Sequence, residues 1–254
     1  MFDPDRLDAR DPDLIAAVLP YARWLNRRYL RLRASGFEAL PNGPCLYVAN
    51  HNSGIAGPDV LCTMVSLLDA RAGQPLYALA HDFAMQHVPP FGKLVQRFGA
   101  LRATPTNALR ALHAGAQVLV YPGGEIDAFR HTRRRDEIVL GARTGFVRVA
   151  QQAGVPIVPI VAHGAHRSAY IFHEGEQLSR WLRTHHWARV ERVPLALALP
   201  WGFAVGPWLP YWPLPFRVQL RARPPIEAPP EREPAAIREQ VRAAMQAALD
   251  EMAA

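Results

Sequence analysis

From about residue 36 onward, short apolar runs alternate with stretches whose apolar positions recur at helical spacing. The runs Cys45–Ala49, Leu76–Ala80, Gln117–Tyr121 and Ile157–Ala162 are bounded by Gly and Pro, and read as strands. Between them, residues 58–71, 90–98, 106–114 and 141–153 read as helices. Strands alternating with helices predict an α/β fold: a mostly parallel, twisted sheet flanked by helices. A parallel pair needs a crossover long enough to hold a helix, and those helices cover both faces. In such sheets, sites form where strands end.

Ahead of this pattern, residues 11–35 predict an amphipathic helix, with Asp11 as N-cap and Pro12 at the first helical position. Its apolar stripe runs from Leu14 and Ile15 through Val18, Leu25 and Tyr29 to Leu32, against the basic Arg23, Arg27, Arg28, Arg31 and Arg33. Such a helix docks on a core or lies on an anionic membrane. The tail from about 231 predicts a further helix through Ile237, Val241, Met245 and Leu249. The expected organisation is a helical segment over 1–35, an α/β domain over 36–230 and a C-terminal helix over 231–254.

Residues 194–216 break the alternation. The stretch is apolar and aromatic, and its prolines forbid a continuous helix. It reads either as a loop covering the sheet or as an aromatic surface at lipid-headgroup level, carried by Trp201, Trp208, Tyr211 and Trp212. The second reading is favoured.

Charge narrows the partners. Lys+Arg number 29 against 22 Asp+Glu, a net +7. Such an excess favours phospholipid headgroups, CoA phosphates or an acidic carrier protein. No nucleic-acid reader motif accompanies it, so no nucleic acid is expected. Lys93 is the only lysine; the rest of the excess is Arg, whose planar fork matches phosphate, but a GC-rich genome also produces Arg for Lys, and that explanation is favoured for most positions. Cys45 and Cys62 sit in apolar stretches and read as buried free thiols of a reducing compartment. No secretion signal and no apolar run of about 18 residues is visible.

The candidate chemistry lies at the end of the first strong strand. Asn50-His51 follows the apolar run, a small Gly-containing loop comes next, and Asp59 returns shortly after. A carboxylate bonded to one imidazole nitrogen leaves the other free to accept a proton. The pairs His81-Asp82 with His87, and His163 with His166, lack metal-site spacing, and no metal is expected.

Four blocks then stand in order: Asn50-His51 with Asp59, Phe98–Pro105, Val118–Arg130, and Gly154–Ile160. Together they resemble the glycerolipid acyltransferase superfamily, which includes lysophosphatidate acyltransferases. The resemblance covers roughly residues 37–225. Two departures point to a divergent branch. The family's usual acid position holds Ala56, and the acid stands at Asp59 after Ser53-Gly54. The turn is Pro122-Gly123-Gly124 rather than Pro-Glu-Gly, similar to diacylglycerol acyltransferases and phytyl ester synthases, with Asp127 matching the acid of that form.

The resemblance implies an O-acyltransferase acting on a lysophospholipid or on a neutral acceptor such as diacylglycerol. His51 would be the general base and Asp59 its orienting acid. Asn50, Ser53, Gly54, Arg102, Tyr121, Pro122, Gly123, Gly124, Glu125, Asp127 and Arg130 would contact substrate. Backbone N–H groups at Gly123-Gly124 would meet an oxyanion or phosphate. Pro105 stands where the family carries its phosphate-binding Arg, so Arg102 or the Arg130, Arg133, Arg134, Arg135 cluster is expected to substitute. Acyl-CoA or acyl carrier protein would be the co-substrate, with no tightly bound cofactor. The protein would sit peripherally on the phospholipid surface at the cytoplasmic face of a bacterial inner membrane. Alternatives on the same fold are a thioesterase or lipid esterase using water, and a non-catalytic lipid-binding protein.

Overall fold

A computed structural model describes residues 2–51, 57–82, 85, 89–187, 190–206 and 215–254. The four apolar runs form β2 (Leu46–Ala49), β3 (Leu76–Ala80), β5 (Gln117–Val120) and β6 (Ile157–His163). With β1 (Arg33–Ser35), β4 (Ala100–Arg102) and β10 (Gln219–Ala222) they build a seven-stranded sheet in the order β1-β10-β6-β2-β5-β3-β4. The block from β6 to β4 is parallel throughout, whereas β10 runs antiparallel to β6.

The central strands are apolar on both faces because both are covered. Leu46 and Val48 of β2 join one cluster with Val118, Phe146 and Leu249. The alternate residues Tyr47 and Ala49 join a second cluster with Leu67, Leu119 and Ile160. The first cluster lies under α4 (Pro105–His113), α6 (Gly145–Ala153) and α9 (Pro234–Ala253); the second draws Leu67 from α2 (Pro58–Ala70). The C-terminal helix α9 buries Ile237, Val241, Met245, Ala248 and Leu249, so it forms part of the main core.

The N-terminal helix α1 (Pro12–Trp24) begins as its N-cap predicts, with Asp11 accepting the Leu14 N–H at 2.9 Å. It continues as one wider turn over Leu25–Tyr29 and stops short of residue 35. Arg31 adopts a left-handed φ of 45°, and the Arg33 N–H goes to the Val218 carbonyl at 3.0 Å. Pairing with β10 thus takes residues 33–35 away from the expected helix. Gly36 follows with a φ of 81°, where a Cβ would lie 2.2 Å from the Ala222 carbonyl oxygen.

The proline-rich stretch is not a plain loop. β8 (Leu195–Ala198) and β9 (Gly202–Val205) form a hairpin that pairs antiparallel with β7 (Ala169–His173) as a separate three-stranded sheet. Pro194 precedes the hairpin and Pro200 lies in its turn, so neither removes a ladder hydrogen bond. Ile171 and Ala196 pack on Ala128 and Phe129. The other face carries the cross-strand row Tyr170, Leu197 and Phe203, respectively 49%, 53% and 59% exposed. Trp208, Tyr211 and Trp212 lie outside the described residues. No helix among the described residues is long and apolar enough to cross a membrane.

Candidate active site

β2 delivers Asn50 and His51 to the carboxyl edge of the sheet. The Asn50 side chain is fully buried and reads the adjacent strand as a peptide would. Its Oδ1 accepts the Ala162 N–H at 2.7 Å and its Nδ2 donates to the Ala162 carbonyl at 3.0 Å. Asn50 therefore does not face a substrate, contrary to the expectation from the resemblance. It ties the end of β2 to β6, immediately before His51.

Asp59 lies in the first turn of α2, one residue after Pro58. This is the helix end where unpaired N–H groups and the peptide dipoles favour an anion. Its fully buried Oδ2 stands 2.7 Å from His51 Nδ1. A carboxylate only accepts, so Nδ1 carries the hydrogen in the neutral ring and the Nε2 lone pair is left free. The His51 side chain is 10% exposed. Burial drives its pKa down, but the charge and hydrogen bond of Asp59, aided by Asp127, outweigh this and raise it above the ordinary 6.5. The Tyr121 ring packs on the imidazole with centroids 4.8 Å apart.

The peptide of His51 is held as firmly as its ring. Asp127 Oδ2 accepts the His51 N–H, and Arg130 Nη1 donates to the His51 carbonyl at 2.8 Å. Asp127 and Arg130 are buried and paired with each other. Burial pushes the Asp127 carboxyl up to about 6, against the opposing pull of Arg130 and the His51 N–H. Arg130 also donates from Nε to the Arg134 carbonyl at 3.1 Å and from Nη2 to the Arg135 carbonyl at 3.0 Å. Both side chains are buried and hold the His51 peptide, where the resemblance implied contact with substrate.

The Gly turn serves this clamp. A Cβ on Gly123 would lie 2.1 Å from the Val139 carbonyl oxygen and 2.5 Å from Asp127 Cβ, so glycine there lets Asp127 fold back toward His51. The Gly124 N–H donates to the Tyr121 carbonyl at 3.0 Å, which removes it as an oxyanion donor. The Pro122 carbonyl accepts from Arg143 at 3.4 Å. Glu125 accepts the Glu191 N–H at 2.6 Å and anchors the loop before β8; burial raises its pKa.

Arg102 is also committed elsewhere. It ends β4, at the far margin of the sheet and three strands from β2, where Asp5 holds it through a bidentate pair and Asp82 stands 3.8 Å away. Its expected service as a phosphate ligand beside His51 is not what this placement allows. In the basic run, Arg134 pairs with Glu137 and Arg135 with Asp136. Ser53 and Gly54 lie outside the described residues.

The acyltransferase family model matches residues 31–163, which carry His51, Asp59, Asp127 and Arg130. An uncharacterised protein of Mycobacterium tuberculosis is 29% identical over 206 residues, 77% of this chain and 57% of its own length. The DGAT1/2-independent enzyme synthesizing storage lipids of Homo sapiens is 29% identical over 148 residues, 58% of this chain and 44% of its own. Phytyl ester synthase 2, chloroplastic, of Arabidopsis thaliana is 30% identical over 129 residues, 48% of this chain and 18% of its own. The chain thus spans about half the length, or less, of the curated relatives it matches. The fold is similar to that of the 1-acyl-sn-glycerophosphate (LPA) acyltransferase PlsC from Thermotoga maritima, with a TM-score of 0.55 and 16% identity over 94% of this chain and 82% of that one. With more than half of its 254 residues matched by the family, the chain belongs to the acyltransferases.

Proposed function

We propose that the protein moves a fatty acyl group from an acyl thioester to a lipid hydroxyl at a membrane surface. The observation that carries this reading is the 2.7 Å His51–Asp59 contact, which leaves Nε2 of a rigidly mounted imidazole as a base. The acceptor hydroxyl attacks the thioester carbonyl as Nε2 takes its proton. The tetrahedral intermediate expels the thiolate, and the imidazolium protonates it, leaving an ester and a free thiol. Asp59 stabilises the ring while it is charged. A positioned base of this kind contributes about 10²–10⁴-fold in rate. No enzyme nucleophile is required.

Two apolar surfaces support work at a bilayer. The outer face of the small sheet presents Tyr170, Leu197 and Phe203, and α1 presents Val18, Tyr21 and Trp24 at intervals of one turn. With a net charge of +7, the surface in view is anionic phospholipid, met peripherally at the cytoplasmic face. The lipids named for the relatives, storage lipids and a phytyl ester, point the same way. Incubation of purified protein with labelled acyl-CoA or acyl carrier protein and a panel of lysophospholipid, monoacylglycerol, diacylglycerol and fatty-alcohol acceptors tests the reading. Appearance of an acylated lipid supports it. Undiminished transfer by His51→Ala overturns the assigned base.

A further inference from the structure

A second feature lies one strand away from His51. β6 ends at His163, paired with Gln219 at the start of β10, and these residues line a cavity of about 380 Å³ together with Arg31, Arg167 and Arg217. Among the described residues no carboxylate lines it, although Asp136 stands 3.6 Å from the His163 ring, and none of the three guanidinium groups has a hydrogen-bond or ion-pair partner. Elsewhere the arginines that the resemblance implied for substrate contact are neutralised, Arg102 by Asp5 and Arg130 by Asp127.

The backbone builds this convergence. Gly164, at a φ of 94°, would place a Cβ 2.2 Å from the Arg217 carbonyl oxygen, so the turn bearing Arg167 lies directly against residue 217. The Val218 N–H donates to the Leu30 carbonyl at 3.0 Å, which seats Arg31 beside them. Asn50 then locks the whole group to the site, because its amide grips Ala162, the neighbour of His163, while its own neighbour is His51. The ends of β2 and β6 are adjacent, about 5 Å apart, so the cavity-lining His163 and His51 leave the sheet on neighbouring strands.

Resting on the acyl-transfer reading, we propose that this three-arginine cavity holds a phosphate monoester carried by one of the two substrates. A phosphate dianion offers three acceptor oxygens, and forked guanidinium donors match that geometry better than any other side chain. Phosphate in this class comes either from the headgroup of a lysophosphatidate-type acceptor or from the ribose phosphate of a coenzyme A donor. The cavity supplies the phosphate contact that Arg102 and Arg130 are not placed to make. His163 adds an imidazole to the lining: burial lowers its pKa, Asp136 opposes that, and Arg167 and Arg135 reinforce it.

The test is equilibrium binding to the full chain, one substrate at a time so that no turnover occurs. One pair compares a short-chain, monomeric lysophosphatidate with the matching monoacylglycerol; the other compares coenzyme A with its dephospho form. The expected result is a preference of at least about tenfold for the phosphorylated member of one pair, and the pair that shows it names the source. Arg167→Ala and Arg217→Ala each lose about tenfold in affinity for that ligand, as expected for one charge-assisted contact, with none lost for its dephosphorylated partner. Arg217→Lys retains part of it. Equal affinities within both wild-type pairs overturn the proposal without reference to any variant. So does an undiminished preference in the folded triple variant Arg31→Ala, Arg167→Ala, Arg217→Ala. Phosphate preference without acyl transfer from any donor would instead sink the reaction while leaving the pocket standing.

Discussion

The Asp127 carboxylate accepts the backbone N–H of His51 across a separation of 76 residues. The acid of the Gly turn thus positions the strand-end His by its peptide, while Asp59 positions it by its ring. Two carboxylates serve one imidazole, and only one of them touches the side chain. Arg130 completes the arrangement by neutralising Asp127 and binding the His51 carbonyl.

Asp127→Asn keeps the shape but leaves Arg130 as a buried charge without its counter-ion. Removing one partner of such a pair costs about 3–5 kcal/mol. Urea unfolding of Asp127→Asn and of Arg130→Met should show a loss of that order. If either variant is as stable as the parent, the clamp has been assigned too much weight.

The pH dependence of transfer has a defined sign. The His51 pKa is raised above 6.5, and the proposed base is the neutral ring. Thus kcat/KM should climb with pH and level off only above a midpoint higher than 6.5. For stability, the raised value means that the protonated ring favours the fold. That contribution is complete below the unfolded pKa near 6.5 and is lost as pH rises through the folded pKa. An NMR titration of the His51 ring reads the same midpoint.

Asp59→Asn removes the charge that holds the His51 pKa up, and burial, the largest opposing influence, then dominates. The ascending limb should move to lower pH, while the plateau falls by about a hundredfold or more because the ring loses its tautomeric anchor. A fall in rate with an unshifted limb would separate Asp59 from the titration.

On membranes, the protein should bind anionic vesicles better than zwitterionic ones and weaken as salt is raised. Leu197→Asp with Phe203→Asp, which charges the exposed cross-strand row, should reduce binding at every salt concentration. Co-sedimentation measures both, and an unchanged bound fraction would remove the small sheet from the membrane-facing surface.

Leu249 is fully buried in the main core, so Leu249→Ala should cost about 2–5 kcal/mol in unfolding free energy. Deleting residues 231–254 should abolish cooperative unfolding, because α9 covers the cluster that contains Leu46, Val48 and Ile157. A truncated chain that melts as one unit would place the core elsewhere.

The central strands were legible because burial on both faces leaves a near-continuous apolar run, as in Cys45–Ala49 and Ile157–Ala162. Strands at the margins were not. β1, β4 and β10 include Arg33, Arg102, Gln219 and Arg221, whose polarity hides their extended backbone. Within residues 194–216, prolines masked a hairpin that they precede, at Pro194, and turn, at Pro200, without entering its strands.

The same contrast governs the site. His51 and Asp59 are eight residues apart at a strand end and a helix start, so local chain geometry alone brings them together. The partners of Asn50, Asp127 and Arg102 lie 112, 76 and 97 residues away. Pairings at that range depend on which strand lies beside which, and β6 comes to rest against β2 only once the sheet is assembled. Local pattern therefore carried the architecture and the acid–base pair. The clamp on His51, the neutralisation of Arg102 and the gathering of Arg31, Arg167 and Arg217 required the packed chain, because charges distant in sequence find their neighbours only through the strand order of the sheet.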